Sequence, residues 1–281
     1  MPAQLTELTT AVILVAAVAH ATWNALGKLI PDRLVSASWI GLVYLTAGAA
    51  VVPFLPLPHA AAWPYLAVSS IAQATYLLML MAAYRKGEFG QIYPVTRGMA
   101  PLLVSVVSFC FLDERVSLQQ LGGIAAVCAG LTGLVFVRGT PRRGSGYGMA
   151  ALTGTMIAVY TLVDGVGVRH SGHPISYAAW LFALQGPLVP LGVFVVRGRG
   201  FVKDLAPQWR LGVVGGLLSL LSYGMIVWAQ SRAPIAAVAT LREVSVVLAA
   251  FLGRLMFREK LGPITVGAAV LVAGGVIAVA V

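Results

Sequence analysis

The chain has 281 residues and a formal net charge of +10, yet only 10% of its residues are charged and 59% are hydrophobic. A soluble domain carries about 25% charged residues, so this composition argues against a water-soluble enzyme and for a chain that lives in a bilayer. The positive excess sits in no basic tail and no interleaved aromatic surface, so nucleic acid is not an expected partner; in a membrane protein, loop Lys and Arg set orientation instead.

Apolar helices are predicted near 8–28, 35–54, 64–84, 91–112, 118–137, 147–168, 175–196, 211–231, 236–257 and 262–281. Each is about 20 residues, enough to cross about 30 Å of hydrocarbon. The expected fold is therefore an all-α membrane protein of ten transmembrane helices, with no room left for a soluble domain. The first helix has no positive n-region and no cleavage site, and is read as a retained span. Cys110 and Cys128 fall within apolar helices and are read as small packing residues, not as a disulfide or metal site.

The chain reads as two copies of one unit. Arg97 recurs 145 positions on as Arg242, and the same shift carries Glu114 to Glu259, Arg115 to Lys260, Gly122 to Gly267 and Gly130 to Gly275. The expected organisation is a first repeat over 8–137, a basic turn-rich linker over 138–146 and a second repeat over 147–281. An odd number of helices per copy makes the two copies enter the membrane from opposite sides. Inverted repeats of this kind mark secondary transporters that bind substrate near the midplane, between the repeats.

Loops after odd-numbered helices hold nearly all the loop Lys and Arg, from Lys28 and Arg33 to Arg258 and Lys260, whereas loops after even-numbered helices hold only Arg115, Arg169 and Arg232. That asymmetry puts the odd-loop face in the cytoplasm and both termini outside.

Helix one carries His20, Trp23, Asn24 and Lys28. His20, Asn24 and Lys28 share one face at four-residue spacing, so they line a pocket or bond between helices, with Lys28 free to snorkel. In helix four, Tyr93-Pro94-Val95-Thr96-Arg97-Gly98-Met99-Ala100-Pro101 predicts a kinked or locally open segment around a buried arginine, with Tyr93 one turn before Arg97. Glu114 and Glu259 stand where helices five and ten begin and are read as structural caps, since a carboxylate suits a helix start. Helix six carries Tyr160 and Asp164, which a shift of about 140 sets on His20 and Asn24. A buried aspartate is costly unless neutralised or paired, so Asp164 either takes up a proton during transport or pairs with Arg97 or Arg242. In helix nine, Arg242 and Glu243 point about 100° apart, one toward a cavity and the other toward a neighbouring helix.

Two readings follow for the buried charges. Arg97 and Arg242 bind an anionic substrate, with Asp164 and Glu243 as proton-linked groups, or all four close into a structural network. Gly122, Gly123, Gly130 and Gly133 in helix five, and Gly267, Gly274 and Gly275 in helix ten, predict close helix packing, within the chain or in a homodimer. No P-loop, metal-ligand spacing or nucleophile–base pattern is present. The chain is therefore read as no enzyme, with no cofactor and no metal, and with the bilayer and a small molecule as its partners.

Phe109-Cys-Phe-Leu-Asp-Glu-Arg, with Gln120-Leu-Gly-Gly after it, and Leu255-Met-Phe-Arg-Glu-Lys-Leu-Gly in the second half resemble the EamA-domain exporters of the drug/metabolite transporter superfamily. His20-Ala-Thr-Trp-Asn-Ala-Leu-Gly-Lys28, Tyr93-Pro-Val-Thr-Arg-Gly-Met-Ala-Pro101, Tyr160-Thr-Leu-Val-Asp-Gly-Val-Gly-Val-Arg169 and Leu241-Arg-Glu-Val-Ser245 resemble a subgroup associated with phosphonate utilisation. The resemblance implies ten helices in two five-helix repeats, a bacterial inner-membrane exporter of a small polar or anionic metabolite, and both termini in the cytoplasm. The last point conflicts with the loop charges. An uptake carrier for amino acids, drugs or organophosphonates, and a non-transporting membrane scaffold, are the competing readings.

Overall fold

A computed structural model of the chain describes residues 5–86, 89–112, 114, 117–134, 146–257 and 262–281, with side chains described except at 78, 81–82, 84–86, 89–94, 253 and 257. The regular structure of the described residues is all helical, with no strand among them. In hydrocarbon every backbone N–H and C=O needs an internal partner, which a helix supplies within its own segment. Seven helical segments among the described residues are long and apolar enough to cross a membrane, and Val95–Phe111 is a shorter apolar one.

The first half contains α1 (Glu7–Lys28), α2 (Arg33–Val51), α3 (Trp63–Lys86), α4 (Phe89–Phe111) and α5 (Leu118–Gly133). The second contains α6 (Tyr147–His170), α7 (Pro174–Gln185), α8 (Leu188–Arg197), α9 (Gly200–Leu205), α10 (Trp209–Gln230), α11 (Ile235–Arg242), α12 (Val244–Phe257) and α13 (Pro263–Ala280). Local sequence sets the ends. Thr6 and Thr9 form a capping box on α1, Asp32 accepts from the N–H groups of Leu34 and Val35 to start α2, and Ser117 with Gln120 boxes the start of α5. Gly172, at φ 74°, turns α6 into α7 against the His59 ring, where a side chain has no room.

Three local expectations are corrected. The Pro- and Gly-rich stretch around Arg97 does not open, because α4 runs unbroken through Pro94, Gly98 and Pro101. The break falls instead in the second half, where the chain tightens at Glu243, whose N–H reaches back three residues to the Thr240 carbonyl at 3.0 Å. The predicted helix 175–196 is two helices, parted at Gly186-Pro187, because a proline has no N–H to continue the ladder.

Packing between the halves comes in corresponding pairs. Helix α1 lies along α10 as α6 lies along α3, α2 meets α7, and α5 meets α13. The last two pairs are glycine seams. A Cβ on Gly123 would stand 2.6 Å from the Gly275 carbonyl oxygen, and one on Gly41 would stand 2.5 Å from that of Gly186. These backbones approach too closely for any side chain. Gly130 sits in the α5–α13 seam too, whereas Gly122, Gly133, Gly267 and Gly274 face open space. The predicted small-residue seam thus closes within the chain through about half of its glycines.

The loops sort onto two faces. On the odd-loop face Arg197 at the end of α8 forms an ion pair with Asp32, and the Trp39 indole donates to the Leu205 carbonyl at 3.1 Å. On the even-loop face His59 donates its N–H to the Ser171 carbonyl at 3.1 Å, and Arg169 donates to the carbonyls of Gln230 and Ala233.

Candidate functional site

A cavity of about 390 Å³ lies between the halves, lined from α1, α2, α3 and α4 on one side and α6, α7, α10, α11 and α12 on the other. It reaches Arg33 at the start of α2, which is solvent-exposed, so it opens toward the odd-loop face. From Tyr160, which lines it, nine further residues of α6, about 13 Å, lead to Arg169 on the even-loop side.

His20, Trp23, Asn24, Arg97, Tyr160 and Arg242 all line this cavity, as does Lys28. The His20 and Trp23 rings meet edge-on at 5.2 Å, and the Asn24 amide donates to the His20 carbonyl at 2.8 Å. The side chain of Tyr93 and the whole of Glu259 lie outside the described residues. Asp164 and Glu243 are not cavity-lining.

The two arginines are not equivalent. Arg97 Nη2 lies 3.2 Å from Glu243 Oε2 and donates to the Ser245 hydroxyl at 3.1 Å. Arg97 is 6% exposed and Glu243 1%, so this is a buried pair, and it consumes the charge of both. Arg242, 4% exposed, makes no hydrogen bond or ion pair among the described residues, and its Nε–H is buried without a partner. The break at Glu243 produces the difference: it turns Glu243 toward α4 and leaves Arg242, the last residue of α11, facing the cavity.

The cavity wall carries Lys28, Arg33, Arg97 and Arg242 and, among the described residues, no Asp or Glu. Its buried polar atoms without a hydrogen-bond partner among the described residues include N–H donors on Trp23, Gln185 and Arg242. A cavity lined by four cationic side chains, with no carboxylate among its described lining residues and with spare donors, suits a ligand rich in acceptors and negative charge.

Asp164 is fully buried behind that wall and touches neither arginine, which corrects the expectation of a pairing with Arg97 or Arg242. It accepts instead from the hydroxyls of Tyr177, at 3.0 Å, and Tyr223, and from the Gln73 amide at 3.4 Å. Gln73 and Tyr223 also line the cavity, so two neutral donors connect the carboxyl to it. Glu114 does not cap α5, where Ser117 serves. It reaches across to the other half, accepting from the N–H groups of Ile235 and Ala236 at 2.8 and 3.2 Å, and so caps α11.

Sequence reasoning missed Arg33, Tyr44, Gln185 and Ser219, which line the cavity from α2, α7 and α10. Tyr44 and Ser219 share a 2.8 Å hydrogen bond. Arg33 reads as an orientation charge and the others as isolated polar residues, so no spacing in the sequence singles them out.

A helical bundle of two corresponding halves around a largely apolar cavity that carries a few cationic and hydrogen-bonding side chains is the architecture of a multi-pass membrane carrier. The chain belongs to the EamA-like transporter family, whose model matches residues 8–136 and again 144–281. A solved structure described as "Crystal structure of protein" is similar in fold, with a TM-score of 0.77 over 97% of this chain and 96% of that one at 18% identity.

Proposed function

We propose that the chain is a ten-span secondary transporter that moves a small organic anion outward across the cell's inner membrane, by alternating access between two inverted repeats. The observation that carries this reading is Arg242, buried, without a hydrogen bond or ion pair among the described residues, and facing a cavity whose described wall holds no carboxylate. A buried charge without a partner is costly, and a substrate carboxylate or phosphonate relieves that cost when it binds. Arg97, matched by Glu243, is the structural member of the two.

The odd-loop face is taken as cytoplasmic from its Lys and Arg excess. The cavity as it stands then collects its substrate from inside, which favours export over uptake. Asp164 is the proton-linked group: it is buried, has no cationic partner among the described residues, and is joined to the cavity through Gln73 and Tyr223. Glu243, held by Arg97, is released from that role.

Thermal unfolding of the detergent-solubilised protein tests the substrate class, because a ligand that binds only the folded state raises the melting temperature by mass action. The panel contains carboxylates, phosphonates, amino acids, sugars and cationic drugs. Stabilisation by anions that is lost in Arg242→Ala supports the site. Stabilisation by cationic or neutral compounds, retained in Arg242→Ala, overturns it.

A further inference from the structure

Among the described residues, a compact polar knot bridges the two halves at the even-loop face. Glu114, its side chain 6% exposed, receives Arg169 Nη2 at 2.8 Å and the N–H groups of Ile235 and Ala236. Arg169 in turn donates to the carbonyls of Gln230 and Ala233 at 3.0 and 2.9 Å. Glu114 lies between α4 and α5 in the first half, whereas Arg169 ends α6 and the remaining groups form the turn from α10 into α11 in the second. The knot therefore ties one half to the other at the face opposite the cavity mouth.

What lies beneath the knot corresponds to what lines the cavity. Asn24 and Lys28 share one face of α1 and line the open cavity; 140 positions on, Asp164 and Val168 share one face of α6 and are fully or nearly fully buried. The helix pairings repeat in the same way, α1 on α10 and α6 on α3. If the halves exchange roles, the face of α6 opens as the face of α1 closes, and the knot stands in its path.

We propose that Glu114 and Arg169 form the latch of the even-loop face, whose release exposes the α6 surface bearing Asp164 and Val168. This rests on the alternating-access reading above. The latch is also connected to the binding site. Helix α11 has eight residues, about 12 Å, with its first N–H groups held by Glu114 and its last residue, Arg242, in the cavity. An anion engaged by Arg242 and the latch thus act on opposite ends of one short rod. A ligand shifts a conformational equilibrium through contacts that differ between the states, and α11 is where such a difference reaches the latch.

Cysteine labelling with a membrane-impermeant thiol reagent, applied from each face of oriented vesicles, tests the latch without any substrate. Cys110 and Cys128 are first replaced by serine. Val168→Cys then reports the even-loop side and Ser36→Cys, at the cavity wall, the odd-loop side. Glu114→Gln and Arg169→Gln are each expected to speed even-side labelling at Val168→Cys by about tenfold or more and to slow odd-side labelling at Ser36→Cys. Labelling that rises at both positions marks a loosened fold and overturns the latch, as does labelling unchanged at both. Because no ligand is present, these outcomes stand apart from a failure of the anion assignment, which the melting-temperature panel detects.

Discussion

Arg97 and Arg242 occupy matching positions in the two halves but sit in different surroundings, and their substitutions are expected to separate accordingly. Removing one partner of a buried ion pair leaves an uncompensated charge, at a cost of about 3–5 kcal/mol. Arg97→Ala is therefore expected to lower the melting temperature sharply, because Glu243 is stranded. Arg242→Ala breaks no hydrogen bond or ion pair with a described residue and is expected to leave the melting temperature near that of the parent or above it. Its loss should appear in ligand affinity instead, weakened by roughly tenfold to a hundredfold, the worth of a hydrogen bond to a charged group. Equal destabilisation by both substitutions would make Arg242 structural. Asp164→Asn keeps the size of the side chain and removes the titrating group; transport of the solute down its own gradient is expected to persist while its acceleration by a pH gradient disappears. A pH-gradient response unchanged in Asp164→Asn would remove Asp164 from coupling. The sequence made all four buried charges visible, through their position inside apolar runs. It did not show that Glu243 turns to Arg97 and that Asp164 is met by tyrosines, because those partners come together only through packing of distant helices.

At the scale of helices, neighbouring glycines give a sharp comparison. A Cβ on Gly123 would press the Gly275 backbone, whereas one on Gly122 would meet nothing within 4 Å. Gly123→Ala is expected to lower stability, since overpacking costs about 1–3 kcal/mol. Gly122→Ala is expected to be neutral or to add about 0.5–1 kcal/mol, the helix preference of alanine. Melting temperatures of the pair check this, and similar losses in both would mean that the seam is not where the packing puts it. At the odd-loop face, Asp32 caps α2 and pairs with Arg197. Burial pushes its carboxyl upward, but hydrogen bonds from Arg197, Leu34 and Val35 outweigh that and hold it below the usual aspartate value. A carboxyl depressed by folding stabilises the protein above its unfolded pKa of about 4 and loses that contribution as pH falls through the folded value. The melting-temperature difference between the parent and Asp32→Asn should therefore be full at neutral pH and vanish in acid; a difference that grows in acid would contradict the pairing. Helix positions were legible from apolar run length: the predicted 8–28, 147–168 and 262–281 fall on Glu7–Lys28, Tyr147–His170 and Pro263–Ala280. Breaks were less so. Gly186-Pro187 carried a visible signal, but Glu243 carries no proline or glycine, and the proline-rich stretch around Arg97 holds its helix.

For the whole molecule, the two copies read from the sequence find their counterpart in paired helix contacts, and the two halves differ where function is proposed. One face is open to a cavity with spare donors and cations; at the other, Glu114 and Arg169 bridge the two halves. The most direct measurement is flux of the organic anion that best stabilises the protein, followed in proteoliposomes for the parent and for Arg242→Ala purified to the same folded fraction. The account predicts saturable flux in the parent, falling to the protein-free background in Arg242→Ala while Gly122→Ala transports normally. Flux of that anion that survives intact without the Arg242 guanidinium would contradict it.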